Sequence, residues 1–97
     1  MDSRLEIFLS VAENKSFSRT AEKYYMSQPA VSQHIQALEE RIGTKLLDRN
    51  NKFVKLNKAG EIVYHYGKEI AGLYNKMDYL VDDLTNNASG PINIGAS

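Results

Sequence analysis

The stretch Ser27-Gln28-Pro29-Ala30-Val31-Ser32-Gln33-His34-Ile35-Gln36 places Gln28, Pro29, Ser32, Gln33 and Gln36 on one side of a helix, opposite Val31 and Ile35. These are short, nearly uncharged groups, and their chemistry is hydrogen bonding. Gln donates and accepts at once, which matches the major-groove edge of adenine; Ser bonds to several base edges, and Pro or Ala can touch the thymine methyl. An α-helix fits the major groove, so this face is built to meet bases. A polar helix face is ordinarily just solvated, and Gln is a good helix former. The reading therefore needs support from the rest of the chain.

Other reactive side chains offer less. Ser32 and His34 are two residues apart on a helix, point in different directions and have no acid to orient them, so they make no nucleophile–base pair. His34 reads as a surface or packing residue and His65 as a flank of a helical interface. Asp82 and Asp83 are too few oxygen ligands for a metal site. Tyr64, Tyr66, Tyr74 and Tyr79 could stack on single strands, but packing against a helix or in a seam explains them better. There is no cysteine, which excludes a disulfide framework and a Cys-ligated metal. No catalytic residue, metal or cofactor is assigned to this chain.

The elements that must position the polar face follow from periodicity. Leu5, Phe8, Leu9 and Ala12 predict a first helix over Ser3–Glu13, with Ile7 and Val11 covering a second side. Ser18 is expected to cap a second helix, Arg19–Tyr25. Ser27 or Gln28 caps a third, where Pro29 is tolerated because first-turn amides have no intrahelical acceptor. Val31, Ile35, Leu38 and Ile42 form its buried stripe, and Gly43 ends it. Leu46-Leu47 and Phe53-Val54-Lys55-Leu56 flank the polar tip Asn50-Asn51-Lys52, as in a small hairpin. Asn57 caps a last helix, Lys58–Thr85. On it Ile62, Tyr66, Ile70, Leu73, Met77, Leu80 and Leu84 step by near-heptad intervals. At ~1.5 Å per residue this helix is roughly 40 Å long, more than so small a domain can cover. Its seam needs something outside the monomer. The expected fold is mainly α: a winged helix-turn-helix of three helices and a two-stranded hairpin wing, followed by a long linker helix.

Asn86-Asn87-Ala88-Ser89-Gly90-Pro91 is a breaker cluster, and Ile92-Asn93-Ile94 after it alternates like a strand. The expectation is a further domain entered at that point. Three segments result: residues 1–57 as the helix-turn-helix domain, 58–87 as the linker helix, and 88–97 as a hinge and first strand.

The 97 residues carry 12 basic and 12 acidic side chains, so total charge is uninformative. Its distribution is not. Lys15 to Lys58 holds nine Lys/Arg against four acids, whereas Glu61 onward holds two Lys against five acids. A basic first part followed by an acidic second part implies different partners. Arg19, Lys23, Arg49, Lys52 and Lys55 are the cations expected to meet phosphates. The N-terminus lacks the order of a signal peptide, and no apolar run approaches membrane-spanning length. The chain is read as soluble and cytoplasmic, with no membrane partner.

The run Phe17-Ser18-Arg19-Thr20-Ala21-Glu22-Lys23-Tyr24-Tyr25-Met26-Ser27-Gln28-Pro29-Ala30-Val31-Ser32-Gln33-His34-Ile35-Gln36-Ala37-Leu38-Glu39 resembles the N-terminal domain of LysR-type transcriptional regulators. Gly43, Leu46-Leu47-Asp48-Arg49 and Leu56-Asn57-Lys58-Ala59-Gly60 extend the likeness, and the tail from Ile92 is similar to the first strand of the family's effector-binding domain. The resemblance implies a linker helix that forms an antiparallel coiled coil in a homodimer, here through Tyr66, Ile70, Leu73, Met77, Leu80 and Leu84. It implies a small-molecule effector bound by a C-terminal domain, tetramers at full length, and binding of double-stranded promoter DNA at an interrupted inverted repeat. By the same resemblance Gln28, Pro29, Ser32 and Gln33 contact bases. Lys52 is a wing residue at the minor groove, and Ser27 and Arg49 contact or position phosphate.

The chain departs from the family in places. Position 33 is often Arg, and Gln does not make the same bidentate contact to guanine. Tyr24 stands where Leu is usual, so its hydroxyl needs a partner or a rearranged core. The tip Asn50-Asn51-Lys52 carries one charge, implying a weaker phosphate grip, whereas Asn57 for Thr is a mild change because both cap helices. The competing reading is a helical protein–protein interaction module that reads no DNA sequence.

Overall fold

A computed structural model describes residues 2–48 and 53–87. Four helices follow in order: α1 (Ser3–Asn14), α2 (Phe17–Lys23), α3 (Gln28–Ile42) and α4 (Lys58–Asn87). Each boundary has a local cause. The Asp2 carboxylate accepts the Arg4 amide and starts α1. Lys15, at φ 56°, stops it, donating its amide to Val11 O at 2.8 Å.

The second helix begins earlier than expected. Its cap is Ser16, not Ser18, because the Ser16 Oγ accepts the Arg19 amide at 3.0 Å, three residues on. That brings Phe17 into the first turn, where it packs against the core. The same shift leaves the Ser18 hydroxyl free of capping. The helix also ends sooner, at Lys23. Tyr24 caps it, and Tyr25 takes a left-handed φ of 55°. Ser27 caps α3 through Oγ to the Ala30 amide at 3.2 Å. Gly43, at φ 95°, ends α3, a conformation that favours glycine.

Helix α1 is the centre of the core. Ile7, Phe8, Leu9, Ser10 and Val11 are consecutively buried, because α2, α3 and α4 all pack on α1. A helix covered on several sides keeps only a narrow exposed strip, here with Glu6 and Glu13. Val31, Ile35 and Leu38 supply the buried stripe of α3, whereas Ile42 emerges at its exposed end. The polar groups that this packing buries are paired. Thr20 Oγ1 donates to Ser16 O at 3.0 Å and lies 3.2 Å from Ser10 Oγ, and Asn14 Nδ2 donates to both hydroxyls at 3.1 and 3.3 Å. This network joins α1 to α2.

The two-stranded wing is not seen, and there is no strand among the described residues. Leu47 and Leu56 form an isolated antiparallel bridge, flanked by Asp48 N to Lys55 O at 2.8 Å and Asn57 N to Leu46 O at 3.0 Å. A pair this short gains little from its own ladder. It is held from below by Leu46 and Leu47, both buried in the core. The expected tip, with Arg49, Asn50, Asn51 and Lys52, lies outside the described residues, as do positions 88–97 with the expected strand.

Asn57 caps α4 as expected: its Oδ1 accepts the Gly60 amide at 2.8 Å, and its Nδ2 donates to Lys45 O at 2.9 Å. The first turns of α4 lie close to the body. A Cβ on Gly60 would stand 2.1 Å from Leu46 O, and one on Gly67 would stand 2.9 Å from Leu9 Cδ2. Farther along the contact ends. Every residue from Gly72 to Asn86 is exposed.

Candidate nucleic-acid interface

The polar face of α3 is where the sequence placed it. Gln28, Pro29, Gln33 and Gln36 are exposed and Ser32 is half-buried, on a helix whose Val31, Ile35 and Leu38 enter the core. The packing therefore aims these amide side chains outward. The first turn of α3 offers fewer free amides for phosphate than a bare helix start. Ser27 Oγ already holds the Ala30 amide, and Pro29 has none. Ser27 thus acts first as a cap.

One contact on this face was missed by sequence reasoning. Gln28 Nε2 donates to Ser18 Oγ, joining the exposed starts of α2 and α3. The signal existed in the serines at 16 and 18, either of which could have capped α2. Only the backbone geometry assigns the cap to Ser16 and frees Ser18.

Three of the cations expected at phosphates lie among the described residues. Arg19 and Lys55 are exposed, and Lys23 is exposed with its Nζ 5.6 Å from the Tyr24 ring centroid. Tyr24 itself is half-buried against the core; burial, with Glu6 and Glu13 nearby, holds its hydroxyl above the usual tyrosine range. It stays protonated at neutral pH. Tyr25 projects from the turn between α2 and α3 and is 96% exposed.

Helix α4 is anchored to α1 by charge as well as by shape. Glu13 Oε2 accepts from Lys68 Nζ and, at 3.5 Å, from the Tyr64 hydroxyl. The hydrogen bond from Lys68 holds the Glu13 carboxyl below its ordinary range, and Glu13 in turn holds the Lys68 ammonium above its own. Tyr64 thus packs against α1 and is no stacking platform. On another side of α4, Ile62, Tyr66, Ile70, Leu73, Met77, Leu80 and Leu84 form an apolar stripe, each about half exposed or more. His65 flanks it, 3.4 Å from Glu69 Oε2 and edge-on to the Tyr66 ring at 4.9 Å.

Among the described residues no group of three or more His, Cys, Asp or Glu side chains is placed to hold a metal ion. Nor is any helix among them long and apolar enough to cross a membrane.

Comparison with known proteins decides the family. The description "Bacterial regulatory helix-turn-helix protein, lysR family" matches residues 3–61, which run from α1 through the bridge into α4. This chain belongs to the lysR family. It carries that family's helix-turn-helix DNA-binding domain, with α2 and α3 as the helix pair. Among curated relatives, the RuBisCO operon transcriptional regulator of Allochromatium vinosum is 35% identical over 94 residues, covering 97% of this chain and 31% of the relative. A probable RuBisCO transcriptional regulator of Porphyra purpurea is 38% identical, covering 97% and 30%. The chain thus spans less than a third of the length of these lysR-family relatives.

Solved structures agree on the helical architecture. A BenM_DBD/catB site 1 DNA complex is similar at a TM-score of 0.83 and 32% identity, covering 95% of this chain and 100% of that one. Vibrio fischeri DarR in complex with DNA is similar at 0.80 and 30%, covering 89% of this chain and 30% of that one. Both are solved with DNA, and the helical scaffold that holds the polar α3 face here is common to them.

Proposed function

We propose that this chain binds duplex DNA in a sequence-dependent manner as a homodimer, and that it serves a bacterial transcription regulator. The observation that carries the reading is the α3 face: Gln28, Pro29 and Gln33 exposed and uncharged, on a helix locked into the core by Val31, Ile35 and Leu38. In this reading Gln28, Pro29, Ser32 and Gln33 contact base edges in the major groove. Arg19, Arg49, Lys52 and Lys55 meet phosphates, with Ser27 at the helix start. Lys52, which lies in sequence between the bridged Leu47 and Leu56, is assigned to the minor groove.

Residues 1–57 are then the DNA-binding unit and 58–87 the linker. The exposed stripe from Tyr66 to Leu84 pairs with a second copy, antiparallel, which sets the separation of two half-sites in an interrupted inverted repeat. A C-terminal domain that begins near residues 88–97 binds a small effector, and the full protein is a cytoplasmic tetramer. Support comes from the lysR family match and from the likeness to BenM_DBD and DarR, each solved with DNA.

The test is selection of bound duplexes from a random pool with the 97-residue chain at two salt concentrations. Recovery of an inverted repeat with fixed spacing supports a dimeric sequence reader. Uniform binding that vanishes at moderate salt would overturn it in favour of the protein-interaction reading.

A further inference from the structure

Gln28 is the first residue of α3, and its side chain is exposed. Its Nε2 donates to Ser18 Oγ on α2, which favours one side-chain arrangement. Ser18 sits on a fixed support. The turn that carries it is capped by Ser16, and the Ser16 carbonyl accepts from Thr20 Oγ1 at 3.0 Å. Thr20 is fully buried and meets Ser10 and Asn14 of α1. Hydrogen bonds therefore fix the first turn of α2, which carries Ser18, to the buried face of α1, and the Ser18 hydroxyl separately meets the start of α3.

That link has a consequence for recognition. A primary amide has two N–H donors and one acceptor oxygen. One N–H of Gln28 is taken by Ser18, leaving Oε1 and a single N–H. One acceptor beside one donor complements the N6–H and N7 of adenine. Guanine presents two acceptors there, O6 and N7, and engages best with two donors. With Nε2 turned to Ser18, as here, one N–H is held back from the groove; turning both outward requires the amide to flip and the Ser18 hydroxyl to donate to Oε1 instead.

We propose that Ser18 is a positioning residue that selects the amide orientation of Gln28 and thereby sharpens an adenine-over-guanine preference at the base Gln28 reads. The proposal rests on the reading of α3 as the base-contacting helix and goes beyond it by assigning a role to a residue on α2.

The experiment uses the 97-residue chain and the duplex recovered by selection, with adenine or guanine at the position where Gln28→Ala relaxes the preference. Affinities are read by fluorescence anisotropy for each duplex and for a scrambled one. Loss of a good bidentate contact is worth about tenfold in discrimination, so Gln28→Ala should erase about that much. Ser18→Ala should lower the adenine preference by about threefold while leaving scrambled-duplex affinity nearly unchanged. Ser18→Thr keeps the hydroxyl and should restore the preference. Ser18→Ala added to Gln28→Ala should change nothing further.

Retention of the full preference in Ser18→Ala, with its loss in Gln28→Ala, would overturn the positioning role and leave base reading intact. An equal fall on cognate and scrambled duplexes would also overturn it, assigning Ser18 to phosphate contact or to folding. A chain that still selects one sequence after Gln28→Ala, with every base preference unchanged, would remove Gln28 from the reading face and Ser18 with it.

Discussion

The Glu39 side chain is 3% exposed, and its Oε2 accepts the backbone N–H of Leu46 at 2.9 Å inside the protein. Its backbone carbonyl also receives the amides of Gly43 and Thr44, at 2.8 and 3.1 Å, where α3 ends. Lys45 Nζ stands 3.8 Å from the other carboxylate oxygen. Leu46 in turn accepts the Asn57 amide and lies beneath Gly60. One buried carboxylate thus couples the C-terminus of α3 to the bridge and, through it, to the start of α4.

Glu39→Ala should therefore destabilise the fold well beyond an ordinary surface substitution. It strands a buried amide and removes a charge-assisted hydrogen bond, together about 3 kcal/mol. Glu39→Gln retains an acceptor and should lose about 1 kcal/mol. Urea unfolding followed by circular dichroism reads both; equal, negligible losses would remove Glu39 from this role.

Two glycines of α4 should respond with opposite signs. A Cβ on Gly60 meets the Leu46 carbonyl at 2.1 Å, so Gly60→Ala must shift α4 off the bridge and should destabilise by about 2 kcal/mol or more. Gly72 has nothing within 4 Å, and Gly72→Ala removes only chain entropy, raising stability by about 0.5–1 kcal/mol. Thermal unfolding distinguishes them, and a matching decrease in both would contradict the close approach at Gly60.

The Glu13–Lys68 pair should shape the pH dependence of stability. The Glu13 carboxyl is held below its ordinary 4.5 by the hydrogen bond from Lys68. Its contribution is present above 4.5 and is lost as pH falls through the lowered value. The Lys68 ammonium is held above its ordinary 10.5, so its contribution is present below 10.5 and is lost as pH rises through the raised value. Both side chains are substantially solvated, which makes the effect small and sensitive to salt. In Glu13→Gln the difference from the parent should vanish in acid and be full near neutrality, as read by urea midpoints from pH 3 to 7. A difference that is constant across this range would mean that the pair contributes no charge-dependent stability.

In the proposed homodimer, a charge on the apolar stripe of α4 should abolish pairing. Leu73→Asp or Met77→Asp places a carboxylate at the middle of a stripe that is open in a single chain. A paired stripe tolerates neither. Sedimentation velocity should then report a monomer with an unchanged helical spectrum. A persistent dimer would place the self-association surface elsewhere.

Much of this protein is legible in its sequence. Helical spacing is a local property, so Val31, Ile35 and Leu38 identified the inner face of α3, and by subtraction Gln28, Pro29 and Gln33 identified the outer one. Gly43 and Asn57 act within three or four residues of themselves, and both were assigned correctly. The run from Phe17 to Glu39 also carried the family, which the match over residues 3–61 bears out. The start of α2 is different: Ser18 is expected to cap it, and Ser16 does. With Ser16 as cap, Phe17 falls in the first turn and packs against the core, and Thr20 is buried. The two apolar segments suggest a hairpin, yet the described residues hold a single Leu47–Leu56 bridge, with Leu46 and Leu47 buried in the core. Glu39 looked like any surface glutamate, since nothing local marks a carboxylate whose donor is seven residues away across a turn. Periodicity, caps and composition determined the helices and the exposed polar face. Tertiary packing alone decided which hydroxyl was left to hold Gln28, which carboxylate went inside, and where α4 leaves the body, because each depends on atoms brought together from separate helices.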